Sequence, residues 1–268
     1  MISVIIPVFN AEKSIEKTLA SVKNQTWKGR FEIIMVNDGS TDGSVGVIEN
    51  FKHKNPEMDI TLVHQENLGV SSARNAAMKL AKGEFIALLD ADDEWLPEKT
   101  TRQMHFLTDS ARNIDFLACA RLNQPLLYPY RADENGLAEI TFRKLMLRNE
   151  APTPTVIFKV KVLQNTGIYM EDQRYAEDLN YWLRISENNS MFILNEGLVI
   201  AGDGKRSFGV SGLSANLSEM EKGFQQNLKQ MLRSKRINQL EYVCYFIFYK
   251  FKYILRLCRN QYLKMIAQ

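Results

Sequence analysis

The sequence predicts an α/β fold: a mostly parallel central sheet flanked by helices, with a helical extension at the C-terminal end. Two observations carry that expectation. Continuously apolar runs of strand length alternate with segments of helical periodicity over residues 1–93, the pattern of parallel strands buried on both faces and joined by right-handed crossovers. Polar clusters follow those runs at Asn10, Asp38 and Asp90. In such sheets ligands bind beyond the carboxyl ends of the strands, so the clusters are expected along one rim.

Ser3 to Val8 reads as the first strand, stopping at Pro7-Val8-Phe9-Asn10, with Asn10 expected as N-cap of a helix carrying Ile15, Leu19 and Val22 on one face. Phe31 to Val36 is a second strand. It runs into Asn37-Asp38-Gly39-Ser40-Thr41-Asp42, a turn-and-cap cluster, before a helix through Val45, Ile48 and Phe51. Ile60 to Val63 is a third strand, and Ser71 or Ser72 is expected to cap the helix carrying Ala73, Ala76, Ala77 and Leu80. Phe85 to Leu89 is the fourth. Further on, a helix is expected after Pro97, strands over Ile114–Leu122 and Val156–Phe158, and a long polar loop over Asn123–Glu139. Met191–Leu194 and Leu198–Ala201 read as two more strands. Residues 1–212 are expected to form the main domain and 213–268 the extension.

The fourth strand leads directly into Asp90, Asp92 and Asp93. In extended backbone side chains alternate, which would put Asp90 and Asp92 on one side and Asp93 on the other. Two anions at the mouth of a buried strand repel unless a cation lies between them, and oxygen ligands suit Mg²⁺ or Mn²⁺ held together with substrate phosphates. A solvated acidic turn ahead of a helix fits the same residues. Glu177-Asp178 precedes an apolar helix face of Leu179, Trp182 and Leu183; at a helix start both carboxylates are favoured by the macrodipole, whether or not they do chemistry. Gly202 to Gly212, rich in glycine and cations, reads as a phosphate-binding loop or a plain connection. No G-x-G-x-x-G follows the first strand and no G-x-x-x-x-G-K-[ST] occurs, which argues against a dinucleotide site or a P-loop.

The 268 residues suffice for a full core. Three cysteines without metal or redox spacing suit a reducing compartment, the N-terminal residues read as a strand rather than a signal peptide, and no uncharged apolar stretch is long enough to span a bilayer. The expected location is therefore cytoplasmic. The net charge of +3 conceals a basic tail: after Glu221 ten Lys and Arg residues face only Glu241. There, aromatic residues from Tyr242 to Tyr253 interleave with Lys250, Lys252, Arg256 and Arg259. A basic, aromatic amphipathic helix can lie on the inner face of a membrane as a peripheral anchor, or pack its apolar face on protein. No nucleic-acid-binding motif accompanies these charges.

Five segments in order, Val4–Asn10, Val36–Asp42, Asn67–Asn75, Asp90–Asp93 and Glu177–Arg184, resemble those of the family 2 inverting glycosyltransferases, which have the GT-A (Rossmann-like) fold. The resemblance covers about residues 1–205. It implies that Pro7, Val8, Phe9 and Asn10 line the base and ribose pocket of a nucleotide-sugar donor. Asp38 would accept from the base imide, favouring a UDP-sugar, and Arg74 would lie near the base and phosphates. Asp90-Ala91-Asp92 matches the D-x-D motif, with Asp90 and Ala91 toward the nucleotide and Asp92 on Mn²⁺ or Mg²⁺. Asp178 matches the catalytic base, and Glu177 a supporting position. Asp203, Lys205 and Arg206 are candidates for the phosphates or the metal's surroundings. Many members carry a histidine after the last core strand, whereas His53, His64 and His105 here all lie upstream. Asp203, a cation, water or donor phosphate is expected to take that place. The implied acceptor is a saccharide or lipid-linked saccharide of a surface glycan. The rival expectations are a nucleotidyltransferase and a non-catalytic glycan- or membrane-binding protein on the same fold.

Overall fold

A computed structural model of the chain describes residues 1–202 and 212–266. The chain divides into two compact units, Met1–Glu171 with Tyr181–Gly204, and Asp172–Asn180 with Lys205–Gln268.

The first unit is built on β1 (Ile2–Val8), β2 (Phe31–Asp38), β3 (Asp59–Gln65) and β4 (Phe85–Leu88), alternating with α1 (Ile15–Lys23), α2 (Ser44–Lys54) and α3 (Val70–Leu80). These strands are parallel and adjacent in the order β3-β2-β1-β4. Every residue of β1 is buried, as a strand covered on both faces requires; its one polar residue, Ser3, donates to Glu32 of β2. α1 buries Ile15, Leu19 and Val22. α3 lies against β1 and β2, and its buried Ala73 and Ala77 keep that approach close. The chain moves from β1 to β2 and β3 on one side, then crosses to β4 on the other. The carboxyl ends of β1 and β4 therefore flank the point where strand order reverses, the place such a sheet reserves for a ligand.

Beyond β4 the sheet is mixed. α4 (Lys99–Leu107) follows the short β5 (Glu94–Trp95), and β6 (Phe116–Arg121), β7 (Leu137–Ile140), α5 (Phe142–Leu147), β8 (Ile157–Lys159) and α6 (Lys161–Thr166) come next. β9 (Met191–Ile200) completes the set; of α7 (Glu177–Ile185), the residues from Tyr181 on belong to this unit and those before it group with the second. β8 runs antiparallel between β4 and β6, while β9 pairs parallel with β6 and antiparallel with β5 and β7.

Four local expectations are corrected. Asn10 caps no helix: it has φ +50° and its Oδ1 accepts from the Thr41 N–H at 2.9 Å, leaving Ser14 as the N-cap residue of α1. Ser71 and Ser72 are buried within α3, whose N-cap is Gly69 at φ +92°, a backbone conformation that disfavours any residue with a Cβ. The two expected late strands are one, β9, with register shifts against β6 between Cys119 and Arg121. The expected polar loop ends in β7.

The second unit contains α8 (Leu217–Arg233) and α9 (Gln239–Ile266). They form a hairpin in which Tyr249 stacks on Phe224 at 5.8 Å, Arg256 lies 5.0 Å over the same ring, and Lys250 bridges Glu221 at 3.1 Å.

Candidate active site

Within the first unit the polar ends of β1, β2 and β4 are tied to one another. The Asn10 N–H donates to Ser40 Oγ at 3.0 Å and the Ala11 N–H to Ser44 Oγ at 2.8 Å, joining the loop after β1 to the loop after β2. Pro7 and Val8 are buried in the sheet, so of the four predicted donor residues on this strand only Phe9 (52 % exposed) and Asn10 present side chains to solvent.

Asp38 ends β2 and is only 4 % exposed. Its Oδ1 accepts from Gln65 Nε2 at 2.7 Å and the Leu68 N–H at 2.8 Å, and its Oδ2 from the Gly69 N–H at 2.9 Å. A carboxylate has about four acceptor positions. Three are used in holding the turn into α3, and among the described residues one is left, on Oδ2.

The Asp90–Asp93 segment is not extended. The Asp93 N–H donates to the Asp90 carbonyl at 3.1 Å, closing a turn, so the expected period-two alternation does not apply. Each carboxylate has a different setting. Asp90 accepts from Arg74 at 2.6 Å, and that arginine is 4 % exposed and lies 5.4 Å from the Tyr169 ring centroid. Asp92 is exposed, at the tip. Asp93 is buried at 6 % exposure and accepts from the Gly202 N–H at 2.6 Å. Burial, reinforced by the charges of Asp90 and Asp92, pushes the Asp93 carboxyl up to about 8, while Arg121 acts in the opposite direction. Ala91 turns its backbone inward, its carbonyl accepting from Ser14 Oγ at 2.8 Å and Thr18 Oγ1 at 3.0 Å. Among the described residues no three His, Cys, Asp or Glu side chains converge as a complete metal cage.

Sequence reasoning passed over Asp93 and Arg121 as site residues. Arg121 ends β6 and lines a cavity of about 240 Å³ with Leu122, Asn123, Gln124, Ile200 and Ala201. The only signal was Arg121's place at the carboxyl end of an apolar run, the same signal that marked Asp38 and Asp90.

Glu177 and Asp178 group with the second unit. They occupy the first turn of α7, both half-buried, and Asp178 Oδ1 accepts from the Leu179 N–H at 2.7 Å. Asp203, Lys205 and Arg206 lie outside the described residues.

A family model described as glycosyl transferase family 2 matches residues 3–164. The putative teichuronic acid biosynthesis glycosyltransferase TuaG of Bacillus subtilis is 30 % identical over 192 residues, covering 69 % of this chain and 71 % of TuaG. An uncharacterized glycosyltransferase of Rickettsia bellii is 30 % identical over 188 residues, 70 % of this chain, but the match spans only 26 % of that relative's length. Among solved structures, S. aureus TarS in complex with UDP-GlcNAc aligns with TM-score 0.68 at 22 % identity, covering 91 % of this chain and 70 % of that one. That likeness concerns the fold alone.

Proposed function

The chain belongs to glycosyl transferase family 2, and from that membership we propose that it is a metal-dependent, inverting transferase. It moves a sugar from a nucleotide donor, UDP-linked by preference, to a saccharide or lipid-linked saccharide of a surface glycan. The observation that carries this reading is that α3 links two strand ends: the N–H of its N-cap Gly69 donates to Asp38 at the end of β2, and its Arg74 pairs with Asp90 beyond β4, next to the reversal point of the sheet.

Each residue has a task in this scheme. Phe9 offers an exposed ring for the base to stack on, and Asn10 borders it. The remaining acceptor position on Asp38 suits the imide N–H of a uracil. The Arg74–Asp90 pair sits toward the ribose, and Asp92, exposed and hard, is the residue to hold Mn²⁺ or Mg²⁺. The site suits a cation: three carboxylates share one turn, and their mutual repulsion contributes to the raised Asp93. Lacking a complete cage, such an ion would take its other ligands from donor phosphates and water. When bound, it would neutralise charge developing on the leaving diphosphate.

Asp178 takes the proton of the acceptor hydroxyl as that oxygen attacks the anomeric carbon from the face opposite the diphosphate. The bond from carbon to diphosphate oxygen breaks in the same displacement, so an α-linked donor gives a β-linked product. Glu177 supports that carboxylate; Lys205 and Arg206 are proposed for the donor phosphates and Asp203 for the surroundings of the metal.

The tail is proposed to rest on the inner face of the cytoplasmic membrane. Leu240, Val243, Ile247, Phe251, Ile254 and Tyr262 form an exposed stripe at helical spacing on α9, accompanied by the exposed Arg259. α9 packs on α8 through different residues, Tyr249, Lys250 and Arg256, so packing and surface binding use different faces. No helix among the described residues is long and apolar enough to cross a membrane.

The test is release of UDP from a panel of UDP-hexoses and UDP-N-acetylhexosamines in Mn²⁺, repeated in EDTA. The reading expects release from at least one donor and its loss in EDTA. Release from none, or release indifferent to EDTA, contradicts it.

A further inference from the structure

The Asp178 carboxylate sits on a short segment whose backbone is unusual. Ala176, two residues before it, has φ +54°, a conformation costly for a residue with a Cβ unless its surroundings hold it there. What holds it is a buried amide network that includes α8. The Ala176 carbonyl accepts from Asn227 Nδ2 at 3.0 Å, from Gln173 Nε2 at 3.1 Å and from the Asn180 N–H at 3.1 Å. Asn227 Oδ1 in turn accepts from Gln173 Nε2 at 2.7 Å and from Asn180 Nδ2 at 3.0 Å. Asn227 is 2 % exposed, and Gln173, Ala176 and Asn180 are also buried.

The orientation of the Asn227 amide is dictated by its partners. A backbone carbonyl only accepts, so the nitrogen must face Ala176 and the oxygen must face the two amide donors. One side chain on α8 therefore grips the segment two residues before Asp178 and two residues after it. One turn earlier on α8, Gly223 lets the backbones meet: a Cβ there would fall 2.3 Å from the Tyr175 carbonyl oxygen. An amphipathic helix needs neither a glycine nor a buried asparagine at these positions to pack, and both are turned toward the Tyr175–Asn180 segment.

We propose that Asn227 and Gly223 are positioning residues that set the Asp178 carboxylate for proton abstraction. The proposal rests on the reading of Asp178 as the base. It gives α8 a part in the reaction, separate from any anchoring done by α9.

The test uses the full chain and the UDP-sugar that supports the fastest UDP release, with water as acceptor. Asn227→Asp keeps the side-chain volume and an acceptor oxygen but removes the donor to Ala176. Gly223→Ala pushes against Tyr175. Each is expected to lower kcat by about 10- to 100-fold, the scale of a small misplacement of a catalytic group, with UDP affinity and donor KM within about twofold of the parent. Adding Asn227→Asp to Asp178→Asn should slow the enzyme no further, since residues acting through one group are not additive. A parental kcat in both single variants, or a further loss in the double variant, overturns the proposal. So does loss of UDP binding together with turnover, which would assign the network to general folding. If Asp178→Asn itself turns over normally, the base assignment falls and this proposal with it. If only Asp178→Asn is impaired, the base stands and the positioning role does not.

Discussion

Asp38 and Asp178 are both carboxylates at the edge of regular elements, yet they are placed by opposite means. Asp38 ends a strand inside a parallel sheet, and two of its three partners are backbone N–H groups of a turn that follows within the same fold unit. Asp178 starts a helix on a segment held by side-chain amides from α8, about fifty residues downstream. Backbone donors survive most substitutions, whereas a side-chain network fails with a single residue. The first carboxylate should therefore tolerate changes around it, and the second should be exposed to changes far from it in sequence.

Substitutions sharpen that contrast, the largest effect first. Asp178→Asn should retain UDP binding and lose turnover by about 10²- to 10⁴-fold, the contribution typical of a general base; near-normal UDP release would remove Asp178 from the comparison. Lys99 probes whether the first unit always satisfies its buried ions. It is fully buried, its Nζ has no hydrogen-bond partner among the described residues, and it sits 4.0 Å over the Trp95 ring. Burial pulls this lysine down from 10.5 to about 8. Below pH 8 both folded and unfolded chains carry the charge and the full penalty applies, on the order of 3 kcal/mol. Between about pH 8 and 10.5 the folded chain sheds the proton first, so stability rises with pH. Lys99→Met should raise stability to denaturant at pH 7 and flatten that rise; a parental pH profile in the variant would show that the lysine is satisfied after all.

Asp38→Ala should cost about 1–3 kcal/mol by orphaning the Leu68 and Gly69 N–H groups, and should weaken UDP binding as well. A loss of stability alone would reduce Asp38 to a brace for α3. The smallest effect is expected on the exposed stripe of α9, where Ile247→Glu with Ile254→Glu should weaken partitioning onto anionic vesicles and leave UDP affinity unchanged. Equal partitioning of parent and variant would argue for a protein partner on that face.

The same contrast explains what the sequence disclosed. β1, β2 and β4 were legible because a strand buried on both faces reads as an unbroken apolar run, and the rim residues were legible because they terminate those runs. Asn10 was misread as a cap because its side chain is taken by the Thr41 N–H, a partner supplied only once β1 and β2 pair. β7 was hidden by its length, four residues at the end of a polar stretch. β9 was divided in two by Asn195-Glu196-Gly197, which carries the irregular register against β6. In Asp90–Asp93 the acidic cluster was legible but neither its geometry nor the buried place of Asp93, since a turn and a strand end share the same composition. The Asn227 network left one trace, Gly223 in the middle of a helix. A glycine there is unfavourable by about 1 kcal/mol relative to alanine and commonly marks a close backbone approach.

We propose a nucleotide-sugar site at the carboxyl ends of β1, β2 and β4, with Asp92 as its metal ligand. Calorimetric titration of UDP into the parent chain and Asp92→Asn, in Mn²⁺ and again in EDTA, tests it most directly. The parent should bind UDP more tightly in Mn²⁺ than in EDTA, and Asp92→Asn should bind equally weakly in both. Equal affinity of the parent in the two buffers, or an undiminished Mn²⁺ effect in Asp92→Asn, would contradict the account.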